Sequence, residues 1–174
     1  NITAWNPASA LGLLFLLRFG KKTIVPLALA ILMADAWVRN LPVSLLASLS
    51  LSALLTLGYW SIAEVLRHRL SSRSIFNDRR GLLAWAVIVT VGTQVNSLIY
   101  VVTLSIGQLI PLGEVPGAFI RYWVGDCVGV LASMPVLWML LDEHGRAQLR
   151  AMVISWESLG YLLAVGGALW IAFG

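Results

Sequence analysis

Six apolar stretches separated by short polar punctuation organise this chain of 174 residues. They run over about 8–18, 23–38, 42–66, 82–111, 115–141 and 152–174. A straight helix needs about 20 apolar residues to cross a bilayer. The last four stretches reach that length and predict helical spans. The first two fall short, which predicts tilted spans or a hairpin that stops part-way. The fourth, at about 30 residues, exceeds one untilted span. Its polar middle, Gly92-Thr93-Gln94-Val95-Asn96, predicts a kink or break.

Composition turns this pattern into a statement about solvent. Hydrophobic residues make up 59% of the chain and charged residues 11%, with a mean hydropathy of +0.86. Soluble domains are about a quarter charged, so this chain cannot cover a water-facing surface. Its solvent is lipid. Eight tryptophans suit a protein with two bilayer interfaces, where the indole ring prefers to sit. The single Cys127 excludes an intramolecular disulfide and a multi-thiolate metal site, and packing as a small apolar residue is expected of it.

The net charge of +4 raises nucleic acid as a partner, but the placement of the basic residues argues otherwise. Arg18, Lys21 and Lys22 follow the first stretch; Arg67, Arg69, Arg73, Arg79 and Arg80 lie between the third and fourth; Arg146 and Arg150 lie between the fifth and sixth. Ten of the twelve Lys and Arg thus fall in alternate loops on one side, the pattern of cytoplasmic loops. They face anionic headgroups, and no nucleic acid is expected. Six crossings put Asn1 and Gly174 on the outer side. The opening NITAWNP has neither an initiator Met nor a basic n-region, so the chain reads as an interior segment of a longer protein. The fold expected is therefore all-α: a polytopic integral membrane helix bundle, forming one domain over 1–174, with six spans here out of eight.

The candidate chemistry lies at the outer ends of these spans. An ionisable group at the bilayer centre costs roughly 2.5–3.5 kcal/mol on insertion scales and so usually faces a bundle interior. Asp126 is such a group, within Arg121-Tyr122-Trp123-Val124-Gly125-Asp126. Trp123 and Asp126 are three apart and share a helical face. Trp5, Asp35, Arg39, Arg121, Trp123 and Asp126 are the candidates for sensing a ligand or signal, in a shallow outer pocket of acids, arginines and aromatic walls. The structural alternative pairs Asp35 with Arg39 and Asp126 with Arg121, leaving the tryptophans as interfacial anchors. Gly125 and Gly129 form a G-x-x-x-G spacing that lets another backbone approach, and with Pro135 they are assigned to helix packing. Gln94 and Asn96 are expected to bond between helices, and Glu64 to pair locally with Arg67 and His68. His68 and His144 lack metal spacing. Neither metal nor cofactor is expected, and no nucleophile–base pair or phosphate loop marks the chain as an enzyme.

Two segments resemble a known family. Trp5-Asn6-Pro7-Ala8-Ser9-Ala10-Leu11-Gly12, running on to Phe19-Gly20-Lys21-Lys22, is similar to the W-P-x-S/T-G-[IL]-A…L-L-x-G-x-[RK] signature of the membrane-associated sensor domain of the first type (MASE family). Trp123-Val124-Gly125-Asp126, with Gly129-Val130-Leu131 and Pro135, resembles its W-x-G-D-x-x-G-x-L-x-x-x-P segment. Asn6 stands where that family often has Pro, and Ala10-Leu11 precede the Gly. The resemblance implies an eight-helix input module of the bacterial inner membrane. Such a module joins a cytoplasmic histidine kinase or GGDEF diguanylate cyclase in the same chain, and a homodimer is expected. Its signal, a small molecule or a protein, is undefined. The alternative is a small proton-coupled transporter or permease, suggested by Asp126 and the polar Gln94–Asn96 stretch, although no internal repeat accompanies them.

Overall fold

The computed structural model describes residues 6–39, 45–69, 79–141, 145–147 and 160, except for the side chains of Val38 and Arg39. Nearly all of these residues are helical, with no strand among them. Five α-helices follow in order: α1 (Pro7–Phe19), α2 (Ile24–Arg39), α3 (Leu45–Arg69), α4 (Arg79–Ile106) and α5 (Val115–Leu141). Short 3₁₀ turns, Gly20–Thr23 and Leu112–Glu114, lead into α2 and α5. The chain divides into two compact units, Asn1–Pro135 and Val136–Gly174. Pro135 lies inside α5 at that division, where its ring removes one helical hydrogen bond.

Six spans out of eight is not the architecture found. Among the described residues three stretches, Leu45–Arg69, Arg79–Ile106 and Leu112–Leu141, are long and apolar enough to cross a membrane, which marks a multi-pass membrane protein. Helices α1 and α2 have 13 and 16 residues, so at 1.5 Å per residue they reach about 20 and 24 Å, short of the roughly 30 Å hydrocarbon core. Both fold back against α3 instead. The sixth stretch, 152–174, lies outside the described residues apart from Gly160.

The fourth stretch is corrected too. Helix α4 runs unbroken through its polar middle for 28 residues. The Thr93 hydroxyl donates back to the carbonyls of Val89 (2.8 Å) and Thr90 (3.1 Å), so this side chain is satisfied without opening the helix. Asn96 is buried against α3, while Gln94 is exposed and does not bridge helices. A Cβ on Gly58 would stand 1.7 Å from the Asn96 Oδ1, and one on Gly92 would stand 2.6 Å from Ile62. Two glycines therefore bring α3 and α4 together, antiparallel.

Sequence explains the position of α1. Pro7 occupies its first turn, where a missing N–H costs nothing. Gly20 ends it at φ 70°, a left-handed conformation open to glycine. Ala10, Leu13, Leu14 and Leu16 are essentially fully buried, so this short helix is core. Arg67 of α3 donates to the carbonyls of Leu16 and Leu17 (3.4 Å to the latter), satisfying acceptors that a helix C-terminus leaves open. Glu64 holds that guanidinium at 3.0 Å and meets His68 at 3.2 Å, the local pairing expected from their spacing. Elsewhere the long helices expose Leu57, Val65, Val87, Val95 and Val128, an apolar exterior suited to acyl chains.

Candidate functional site

Asp126 sits near the middle of α5, buried to 5% exposure, and two other segments hold its carboxylate. The Tyr59 hydroxyl of α3 donates to Oδ2 at 2.6 Å. The Asn6 Nδ2, just before α1, donates to Oδ1 at 2.9 Å. Each oxygen thus receives one neutral donor. A carboxylate offers about four lone-pair sites, so further acceptor capacity remains.

Asn6 is built into α5 by its backbone as well. Its N–H donates to the Gly125 carbonyl at 3.1 Å, and its own carbonyl accepts from the Ser9 hydroxyl at 2.7 Å. That carbonyl lies where a Gly129 side chain would begin, 2.0 Å from the Cβ position. Gly125 and Gly129 therefore receive the Asn6 backbone. Asn6 is the N-cap of α1, yet it makes no side-chain cap hydrogen bond. An N-cap Asn ordinarily bonds the exposed N–H groups of the first turn; this one is turned to Asp126.

The carboxylate forms part of the wall of a cavity of about 190 Å³. Ser9 of α1, Asp35 of α2, Tyr100 of α4 and Tyr122 of α5 line it with Asn6, Tyr59 and Asp126, and Ala8, Gly12, Leu27, Ile31, Ala34 and Leu55 complete its apolar part. Tyr100 and Tyr122 meet edge to face, centroids 5.1 Å apart, the arrangement aromatic quadrupoles favour. All five helices contribute, and no Lys, Arg or His is among the described lining residues.

The six sequence candidates are thus distributed unevenly. Asp35 and Asp126 line one cavity. Arg121 is exposed and its guanidinium lies beside Gly117, one turn back along α5, so it does not neutralise Asp126. Trp123 faces α4: its Nε1 donates to the Thr90 carbonyl at 3.2 Å and its ring stacks on Phe119 at 6.1 Å. Trp5 and the Arg39 side chain lie outside the described residues. Cys127 approaches the Thr90 hydroxyl at 3.6 Å. Sequence reasoning missed Asn6, Ser9, Tyr59, Tyr100 and Tyr122. A usable signal was present for Tyr59, because a phenol midway along an apolar helix needs a partner.

Among the described residues, no group of three or more His, Cys, Asp or Glu could hold a metal ion. No family model, curated protein or solved structure matches the chain. The functional reading therefore rests on the site.

Proposed function

We propose that this chain is the membrane-embedded sensory module of a bacterial signal-transduction protein, receiving its signal in the cavity around Asp126. The observation that carries this reading is a mid-helix carboxylate buried at the meeting point of three segments and forming part of a cavity wall. A carboxylate at such depth is costly. Asn6 and Tyr59 offset part of that cost by bonding it, and so couple the entry to α1, α3 and α5 through one side chain. A ligand that competes for, or adds to, these bonds changes the relative stability of helix packings, which is what a sensor requires. The resemblance of the Trp123–Pro135 segment to a sensor family supports an output domain, a histidine kinase or diguanylate cyclase, on the cytoplasmic side of the inner membrane, working as a homodimer.

In the full-length protein reconstituted in liposomes, Asp126→Asn and Tyr59→Phe are expected to shift stimulus potency or basal output by about 5- to 150-fold, the range of typical allosteric coupling energies. Autophosphorylation or cyclic dinucleotide synthesis reads this. Unchanged output and response in both variants would overturn the reading.

The purely neutral partners of Asp126 favour one second reading, a small proton-coupled transporter. That reading requires acid-driven proton uptake into liposomes containing the chain, abolished in Asp126→Asn.

A further inference from the structure

We infer that the groove between α3 and α4 seats one anionic phospholipid, its phosphate among Arg69, Arg79 and Arg80 and one acyl chain along the groove. The inference goes beyond the sensory reading and does not depend on what the Asp126 cavity binds.

Geometry comes first. An open cavity of about 590 Å³ lies between Val65 and Arg69 of α3 and Leu83, Ala84, Val87 and Ile88 of α4. A second, of about 470 Å³, shares Val65, Val87 and Ile88 and continues past Gly58 and Gly92 to Asn96 and Ile99. The two form one groove, and Val65, Val87, Val91 and Val95 along it are exposed. Gly58 and Arg69 are eleven residues apart, about 16 Å of helix rise. Half of a hydrocarbon core of roughly 30 Å is about 15 Å, so the groove has the depth of a single leaflet. A dry cavity of about 150 Å³ takes a six-carbon ring. By that ratio 470 Å³ takes roughly 18 carbons, which is one long acyl chain.

Charge selects the headgroup. Arg69 lines the mouth of the groove and is exposed. Arg79 and Arg80 stand four residues before Leu83 and Ala84, which line that mouth, and so share their side of α4. Between Val65 and Leu83 the sequence holds five arginines and a single acid, Asp78, so pairing inside this loop leaves the mouth basic. Glu64 is already committed to Arg67 and His68. Basic sites between membrane helices recruit anionic headgroups. A second copy of the chain, packed by the same face about a two-fold axis, would set arginine against arginine, where like charges repel. A phosphate neutralises them.

The test uses the full chain in detergent micelles, with native mass spectrometry and thermal unfolding as readouts. The probes are phosphatidylglycerol and phosphatidylcholine with identical acyl chains, and inorganic phosphate. Three arginines at about fivefold each should make one phosphatidylglycerol bind about a hundredfold tighter than phosphatidylcholine and raise the unfolding midpoint. Arg69→Gln should weaken that binding about fivefold. Ser61→Phe fills the groove from an exposed position without touching an arginine, and should weaken it at least as much. Val91→Phe, also exposed in the groove, serves in its place if Ser61→Phe fails to fold. Equal binding of both lipids overturns the headgroup, and equal protection by inorganic phosphate overturns the lipid. Binding that Arg69→Gln weakens but groove filling leaves intact puts the lipid on the loop surface and overturns the groove. A concentration-dependent dimer that groove filling disrupts, with no lipid bound, gives the groove to a second copy and overturns the inference.

Discussion

A glycine and an asparagine carry more of this site than their size suggests. The Asn6 carbonyl occupies the space where a Gly129 side chain would begin, 2.0 Å from the Cβ position, and no flexible tip is available to move aside, because the obstructing atoms are backbone. Gly129→Ala must expel Asn6, losing its bonds to Asp126 and Gly125 together. Overpacking alone costs about 1–3 kcal/mol, so a clearly lowered midpoint in thermal unfolding is expected. Gly113, which has nothing within 4 Å of its Cβ position, is the matched control, and Gly113→Ala should leave the midpoint in place. At this scale Asp126 was legible from sequence, since a carboxylate in an apolar run stands out alone. Its partners were not. Asn6 lies 120 positions away and Tyr59 lies 67 away, and neither distance leaves a trace in local pattern.

At the scale of the element, apolarity proved ambiguous between lipid and protein. Helix α1 is as apolar as a span yet spends that character on packing, with Leu13, Leu14 and Leu16 buried against neighbours. Hydropathy reports removal from water and does not report crossing, so the first two stretches could be counted as spans although α1 and α2 are too short to cross. The break expected in α4 failed for a related reason: Thr93 back-bonds to its own helix and Gln94 is exposed, which leaves the helical ladder whole. The hold on α1 by Arg67 gives a prediction at this level. Arg67→Met keeps the aliphatic stem but removes the donors to Leu16 and Leu17. The C-terminal turn of α1 should then open more often, and trypsin should cleave faster at Lys21 or Lys22 in detergent-solubilised protein. Cleavage at the wild-type rate would show that the guanidinium adds no local stability.

Across the unit that ends at Pro135, charge separates from the cavity. Arg67 joins the end of α1 to the end of α3, and Lys21 lies 5.8 Å from the Trp60 ring centroid. Antiparallel contact of α3 and α4 brings the start of α4, with Arg79 and Arg80, to that same end. Asp35, Tyr100 and Tyr122 lie toward the other ends of their helices. The described basic residues of this unit's loops, Lys21, Arg67, Arg79 and Arg80, therefore gather at one end of its helices. A membrane-impermeant maleimide should label Lys21→Cys and Arg80→Cys from one side of sealed vesicles and Leu112→Cys from the other, in a Cys127→Ser background. Labelling of all three from one side would refute this arrangement.

Helix α1 is gripped at both ends by different helices, through Asn6 on α5 and through Arg67 on α3. Mechanically it is a strut about 20 Å long spanning from the depth of Asp126 to the basic rim. A rigid rod pinned twice cannot absorb a sliding of α5 past α3 by bending. Such a slide must tilt the rod or unpin one end. Either way, an event beside the carboxylate becomes a displacement of the Gly20–Thr23 turn at the opposite end.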